Sequence, residues 1–419
     1  MKYRPSLTKK LNQRAVLWLG QTCNLRCHFC YFLDKINDES HPEHAFISLA
    51  KAKDMCRTLV ETYGNSSVDI QGGEPTLYPH IFELIEFCNE IGLAPTLITN
   101  AQALAKRSVV EKYREAGIRD FLVSLQGLGE VYDRIVGRPG ANRKQLQALD
   151  NLREVGIPFR FNCVLSEPCL KQLGDIAKLT VEKEAVVINF LVFNPFHDQG
   201  TGKRSDMNVP RYREVERYLS PVLDFLEEHK VEANVRYLPL CMLDERYRKS
   251  IYNFIQIPYD LHENDFNSWS WTDLPSQRIA SNPLSAPLQL GPRLKLGSFR
   301  QPLRKLAMEL PVVGQAMHGI KQKLELRWAN GKQEAPTEEL YRIEARNRSQ
   351  EYCGYQHPEP CATCDVKSIC DGFHGDYLEL YGSEEARPIK LGHKVTDPCH
   401  YAKDQVKMVH EDDLVWLDS

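Results

Sequence analysis

The chain has 419 residues, enough for one large domain or two ordinary ones, and 42% of them are apolar, which suffices for a sizeable core. A net charge of −3 gives no whole-chain case for nucleic acid or an anionic membrane, and no stretch approaches the ~18 apolar residues of a membrane span. Thirteen cysteines, an odd number, follow a start without an apolar signal segment; this argues for metal or redox chemistry in a reducing cytoplasm and against a disulfide set.

Residues 14–19 read as a buried strand, and the loop after them carries Cys23, Cys27 and Cys30 in C-x3-C-x2-C spacing, with Phe29 before the third cysteine. Thiolates this close on one loop can converge on one soft metal centre. Structural zinc sites and protein-held cubane clusters usually take four ligands, so three on a cubane leave one iron open. A helix is expected over 48–63, with Leu49, Ala52, Met55, Cys56, Leu59 and Val60 on one face, and then a strand over 67–71 that ends in Gly72-Gly73-Glu74. Next come a helix over 78–91, a strand over 95–99 ending in Thr99-Asn100, and a helix over 105–116 stopped by Gly117. A strand over 120–125 contains Ser124, and a helix over 143–155 is stopped by Gly156. The strand over 159–165 contains Asn162 and Cys163, and a helix over 170–183, a strand over 185–193 and an amphipathic helix over 210–230 follow. Cys56, Cys88, Cys163 and Cys169 read as small buried hydrophobes. Strands alternating with helices at this pitch imply parallel strands with crossover helices, whose chemistry sits at the C-terminal strand ends.

After residue 230 the alternation stops. Residues 231–237 are strand-like, Cys241 follows, and residues 266–300 read as a long connection or lid. Between 301 and 328 apolar residues from Leu303 to Trp328 recur at three- and four-residue intervals among many lysines and arginines. Such a basic amphipathic stretch either packs on its own protein or makes a peripheral membrane contact. A second cysteine set, Cys361, Cys364 and Cys370 in C-x2-C-x5-C spacing, has His374 four residues on, Cys353 before it and Cys399 after it. The same ligands would suit zinc. The domains expected are 1–230, 231–345 and 346–419.

The loop at Cys23, Cys27, Phe29 and Cys30, with Gly72-Gly73-Glu74 closing the next strand, resembles the radical S-adenosylmethionine (SAM) superfamily. The later cysteines resemble its auxiliary-cluster extension, SPASM, or the shorter form, twitch, but His374 stands where the full pattern has a cysteine. The resemblance implies an α/β fold, a partial (β/α)6 parallel barrel with a C-terminal cysteine-rich extension. It implies a [4Fe–4S] cluster on Cys23, Cys27 and Cys30 whose open iron binds SAM, with Phe29, Gly72, Gly73, Glu74, Thr99, Asn100, Ser124 and Asn162 in the SAM site. It implies an auxiliary [4Fe–4S] cluster on Cys361, Cys364, Cys370 and one more ligand: Cys399 by analogy, with Cys241 as rival and Cys353 or His374 as further choices. The expected function is reductive cleavage of SAM to a 5′-deoxyadenosyl radical that takes hydrogen from a substrate C–H bond, for oxidation, epimerisation or cross-linking. An electron donor such as flavodoxin or ferredoxin would serve it. If Cys163 or Cys169 faces the barrel mouth, it could give a hydrogen atom to a substrate radical. No N-terminal peptide-recognition domain is visible before the first strand, which favours a small-molecule substrate over a peptide. The alternatives are a peptide maturase, a nucleic-acid modifier using the basic 293–332 segment, and a zinc-stabilised binding module without catalysis.

Overall fold

The computed structural model describes residues 3–30, 36, 39, 44–61, 63–192, 209–262, 268–269, 338, 342, 345–346, 349–350 and 354–418. Of the expected lid over 266–300 only Ser268 and Trp269 are among them, and the basic stretch over 301–328 and Cys353 lie outside them. No helix of the described residues is long and apolar enough to cross a membrane.

The first strand in the chain is β1 (Tyr3–Ser6). The sheet proper begins at β2 (Arg14–Trp18) and continues through α1 (Leu49–Glu61), β3 (Ser67–Gln71), α2 (Ile81–Glu90), β4 (Ala94–Thr99), α3 (Arg107–Glu115) and β5 (Asp120–Ser124). Two helices, α4 (Gly129–Ile135) and α5 (Ala141–Val155), precede β6 (Phe159–Leu165). Two more, α6 (Glu167–Leu170) and α7 (Leu173–Glu182), precede β7 (Val187–Val192); α8 (Tyr212–Glu228) and β8 (Glu232–Arg236) follow. The strands β2 to β8 lie side by side in sequence order, all parallel, and a short β9 (Ser268–Trp269) adds to β2. The partial parallel α/β barrel is therefore present, with differences from expectation. The strand-like stretch after residue 230 pairs with β7, so the sheet runs on past the expected domain boundary. The single helix expected over 170–183 is a short turn and a separate helix.

Alternation along each strand sorts the residues. Ala15, Leu17, Phe159, Phe161, Ile188 and Phe190 join the core packed under the helices. Arg14, Asp69, Thr96, Asp120, Arg160 and Asn234 face inward and are buried. Arg160 Nη2 stands 3.9 Å from Asp69 Oδ1 although β3 and β6 are three places apart in the sheet. A flat sheet would separate those backbones by roughly 14 Å, so the sheet is curled.

The floor of this half-barrel is polar and closed by both ends of the described chain. β1 pairs antiparallel with a late strand, Lys407–His410, with Ser6 opposite Lys407. Lys407 is fully buried; its Nζ donates to Asn234 Oδ1 at 2.9 Å, lies 3.0 Å from Asp260 Oδ1 and pairs with Glu232. Tyr3 donates its hydroxyl proton to Asp120, which Arg160 Nε also meets at 3.0 Å. Arg14 Nη1 donates to Asp69 at 2.6 Å, and Arg236 pairs with Asp260. Buried charges persist only when paired, and each of these carboxylates has a cation beside it.

The C-terminal extension contains β10 (Tyr355–Gln356) and β11 (Phe373–His374), paired antiparallel, then α9 (Gly375–Tyr381). It is fastened to the barrel through α8: the Tyr212 and Tyr377 rings stack with centroids 3.7 Å apart, and Tyr212 N–H donates to the Tyr377 hydroxyl at 2.8 Å.

Candidate active site at the strand ends

The loop after β2 and the turn after β3 run together. Gly73 N–H donates to the Gly20 carbonyl at 2.8 Å, and Glu74 N–H to the Thr22 carbonyl at 2.8 Å. Parallel pairing thus extends beyond the strands into the three-cysteine loop. Only glycine permits the approach: a Cβ on Gly72 would lie 2.5 Å from the Gly20 oxygen, and one on Gly73 2.2 Å from the Thr22 oxygen. Gly73→Ala should therefore pry the loop from the turn and cost about 1–3 kcal/mol in urea unfolding. Gly174→Ala, a helical site with nothing within 4 Å, is the control and should be neutral or slightly stabilising.

Glu74 is buried at the centre of this junction. Its Oε1 accepts from the Thr76 hydroxyl at 2.6 Å and the Thr99 hydroxyl at 2.6 Å, and its Oε2 accepts from Asn100 N–H at 2.8 Å. Burial raises its pKa, and these hydrogen bonds to the charged form oppose the rise. Asn100 Nδ2 donates in turn to Asn24 Oδ1 at 2.8 Å, so the ends of β3 and β4 are tied to the cysteine loop. Sequence reasoning placed Glu74, Thr99 and Asn100 at strand ends but missed Thr76 and Asn24 as their partners. Ser124, the last residue of β5, and Asn162, midway along β6, stand opposite each other in register and half-buried. The Asn162 Oδ1 atom is buried and has no hydrogen-bond partner among the described residues.

The loop is braced from behind by the end of α4, which the sequence did not reveal. Arg26 N–H donates to the Val136 carbonyl at 2.9 Å and His28 N–H to the Ile135 carbonyl at 3.1 Å. Phe29 packs against the core at the loop's base. Leu25 N–H donates to Cys23 Sγ at 3.4 Å. Burial pushes the Cys23 thiol up to about 12 and Cys27 well above its usual range, with neighbouring thiols and Glu74 adding to both. Proton loss at such thiols needs a bound cation, and metal binding supplies that drive. The donor set fits a soft, positively charged centre. Among the described residues no group of three or more His, Cys, Asp or Glu side chains is arranged to hold a metal ion as it stands, so the thiols must draw together around what they bind.

Cys163 is fully buried in the core under the helices, its Sγ 3.6 Å from Cys169 Sγ on α6. Its inward neighbour Asn162 takes the mouth side. Neither thiol reaches the mouth, so a hydrogen-donor role for them is withdrawn. Cys56 and Cys88 likewise touch each other in the core at 3.7 Å.

In the extension, Cys361 lies on a 3₁₀ turn, Glu359–Thr363; Cys364 follows it, and Cys370 follows a second turn, Lys367–Ile369. His374 is buried, its Nδ1 accepting from Asp376 N–H at 3.1 Å as the N-cap of α9. Cys399 N–H donates to Asp397 Oδ1 at 2.9 Å, and burial pushes its thiol up to about 12, with Asp397 and Glu338 adding to the rise and Lys9 and Arg342 opposing it.

Residues 19–170 match the family model of the radical SAM superfamily. An AdoMet-dependent heme synthase of Methanosarcina barkeri is 28% identical over 228 residues, 54% of this chain and 62% of that protein. A PqqA peptide cyclase of Bradyrhizobium diazoefficiens is 30% identical over 172 residues, 41% of this chain and 44% of that protein. The chain spans about half the length of the curated relatives it matches. Among solved structures, Streptococcus suis SuiB has a TM-score of 0.43 and 25% identity over 54% of this chain and 49% of its own. With its three-cysteine loop, its Gly-Gly-Glu turn and the matched segment on one curled parallel sheet, the chain carries a radical SAM superfamily domain over residues 19–170.

Proposed function

We propose that Cys23, Cys27 and Cys30 hold the [4Fe–4S] cluster and that SAM lies over the strand ends, against Phe29, Gly72, Gly73, Glu74, Thr99, Asn100, Ser124 and Asn162. The observation that carries this reading is the hydrogen-bonded junction of the cysteine loop with the Gly72–Glu74 turn. When bound, the cluster and SAM supply a 5′-deoxyadenosyl radical for hydrogen abstraction from a substrate C–H bond. The chain's own residues do the rest. The three thiols give up their protons to bind iron. The loop is held still by the Arg26 and His28 N–H groups, which bond to carbonyls at the end of α4. Glu74 sets the end of β4 through Thr99 and Asn100 and offers negative charge where the SAM ammonium would sit. Asn162 Oδ1, buried without a partner, is placed to accept from a ligand hydroxyl or amine.

The reaction favoured is oxidation, epimerisation or cross-linking of a small molecule. An electron donor of the flavodoxin or ferredoxin class would serve it. A single auxiliary cluster in the extension would take the substrate's remaining electron. The relative named as a peptide cyclase supports peptide cross-linking as a second reading. Anaerobic incubation with SAM and dithionite should yield 5′-deoxyadenosine, and faster formation with a small-molecule pool than with a peptide pool supports the first reading. No 5′-deoxyadenosine from iron-loaded protein under any condition overturns both.

Glu74→Gln tests the turn. An amide would meet the Asn100 N–H with a donor or lose the Thr99 bond, and it removes the charge facing an ammonium. SAM affinity should fall roughly 10–150-fold, the worth of about 1.5–3 kcal/mol for a charge-assisted bond, while iron content stays the same. Unchanged affinity by equilibrium dialysis assigns the glutamate to loop structure alone.

A further inference from the structure

The C-x2-C-x5-C loop supplies three thiols, and the sequence left its fourth ligand open between cysteines far apart in the chain. The fold separates them. Cys241 sits on a 3₁₀ turn, Leu240–Met242, five residues beyond the end of β8. The backbone N–H of Leu240, its immediate neighbour, lies near enough to Cys370 to favour a thiolate there. Gly372 N–H donates to the Cys370 sulfur at 3.4 Å, and the Arg387 backbone favours a thiolate at Cys241 in the same way. Cys370 thus already accepts a backbone N–H, which is the hydrogen bonding that thiolates on a cluster use.

The segment after Cys241 also grips the loop. Gln256 Nε2 donates to the Ile369 carbonyl at 2.7 Å, and Phe254 N–H donates to Asp371 Oδ2 at 2.7 Å. Cys241 packs against the core that includes Cys364 and Cys370. The thiols lie within electrostatic reach of one another: Cys361 feels Cys241 and Cys364, Cys370 feels Cys241, and Cys241 feels Cys364. The largest influences on Cys399 are instead its burial and the charges of Asp397, Glu338, Lys9 and Arg342.

We propose that Cys241, Cys361, Cys364 and Cys370 form a single four-thiolate site for the auxiliary [4Fe–4S] cluster, and that Cys399 stands outside it. The proposal rests on the iron–sulfur reading of the extension given above. Four thiolates leave no open iron, so this site binds no SAM. Its fourth ligand fastens the extension to the end of β8, the last long strand of the sheet, rather than to the chain's own C-terminal segment.

The test uses the full chain, expressed with ample iron and purified anaerobically, in a Cys23→Ala, Cys27→Ala, Cys30→Ala background that leaves only the second site. Iron and labile sulfide per chain are measured, with EPR of the dithionite-reduced protein. About four irons with sulfide are expected, and SAM should leave the EPR signal unchanged. Adding Cys241→Ser should remove most of that iron or move its EPR signal, whereas Cys399→Ser should change neither. Far-UV circular dichroism of each variant separates ligand loss from misfolding. A Cys241→Ser protein that fails to fold is replaced by Cys241→Asp, which can still ligate iron through oxygen and should then carry a shifted EPR signal. Iron lost with Cys399→Ser or Cys353→Ser but kept with Cys241→Ser overturns the ligand set. Zinc without sulfide, lost on Cys241→Ser, keeps the four-thiolate set and overturns the cluster, so the two failures are distinguishable.

Discussion

Protein carrying Cys23→Ala, Cys27→Ala and Cys30→Ala together, purified anaerobically and reduced with dithionite, is expected to form 5′-deoxyadenosine only at the background rate. The three thiols belong to one loop whose backbone is committed on both sides. It is bonded forward to the turn at Gly73 and Glu74 and backward to the end of α4. No described cysteine is close enough in the fold to replace them. Cys56 and Cys88 face each other in the core, as do Cys163 and Cys169, and the remaining thiols lie in or beside the extension. Alanine here removes thiols that are half-buried at a loop, not core packing, so the variant should fold. Its iron should fall without vanishing, because the second cysteine set is untouched. Turnover of SAM that survives all three changes would remove this loop from the reaction.

Lys407→Met is expected to cost about 3–5 kcal/mol in urea unfolding, the usual result of removing one partner from a buried ion group. The methionine fills similar space, so the loss is electrostatic. Glu232 and Asp260 are left with Arg236 and His262 as their remaining charged partners. The double change Lys407→Met, Glu232→Gln should recover part of the loss, since it takes away a carboxylate as well as its cation. Acid titration of the wild type gives a second readout. Burial opposes the charge on Glu232, but His262 and Lys407 more than offset it and hold its pKa at about 2. A carboxylate depressed in the folded state contributes stability above its unfolded value and loses it as pH falls from about 4.5 to about 2. His410, lowered to about 4 by burial and by Arg119, works in the same direction at higher pH. It stays neutral in the fold while the unfolded chain takes up its proton, so stability begins to fall as pH drops through about 6.5. Lys407→Met should shrink the lower step and leave the upper one.

The sequence by itself determined the six strands between residue 14 and residue 192 and the helices between them apart from α4 and α6, because apolar periodicity and glycine stops are local signals. It also determined the three-cysteine loop and the Gly72–Glu74 turn, since both are spacing patterns at strand ends. What it could not supply are pairings between residues far apart in the chain. Lys407 reads as one more exposed lysine until the β1 ribbon carries it under the barrel beside Glu232, 175 positions earlier. The inward charges Arg14, Asp69, Asp120 and Arg160 look like ordinary polar strand residues, and only the curl of the sheet brings them within reach of each other. The seventh parallel strand was visible as a strand but not as part of the sheet, because its partner is chosen by the crossover of α8. The same holds for the cysteines. Local spacing announces Cys361, Cys364 and Cys370, but Cys241 has no neighbouring cysteine to mark it. Its place beside Cys370 comes from the contacts that dock the extension on the end of β8, where Leu240 and Gln256 meet the second cysteine loop.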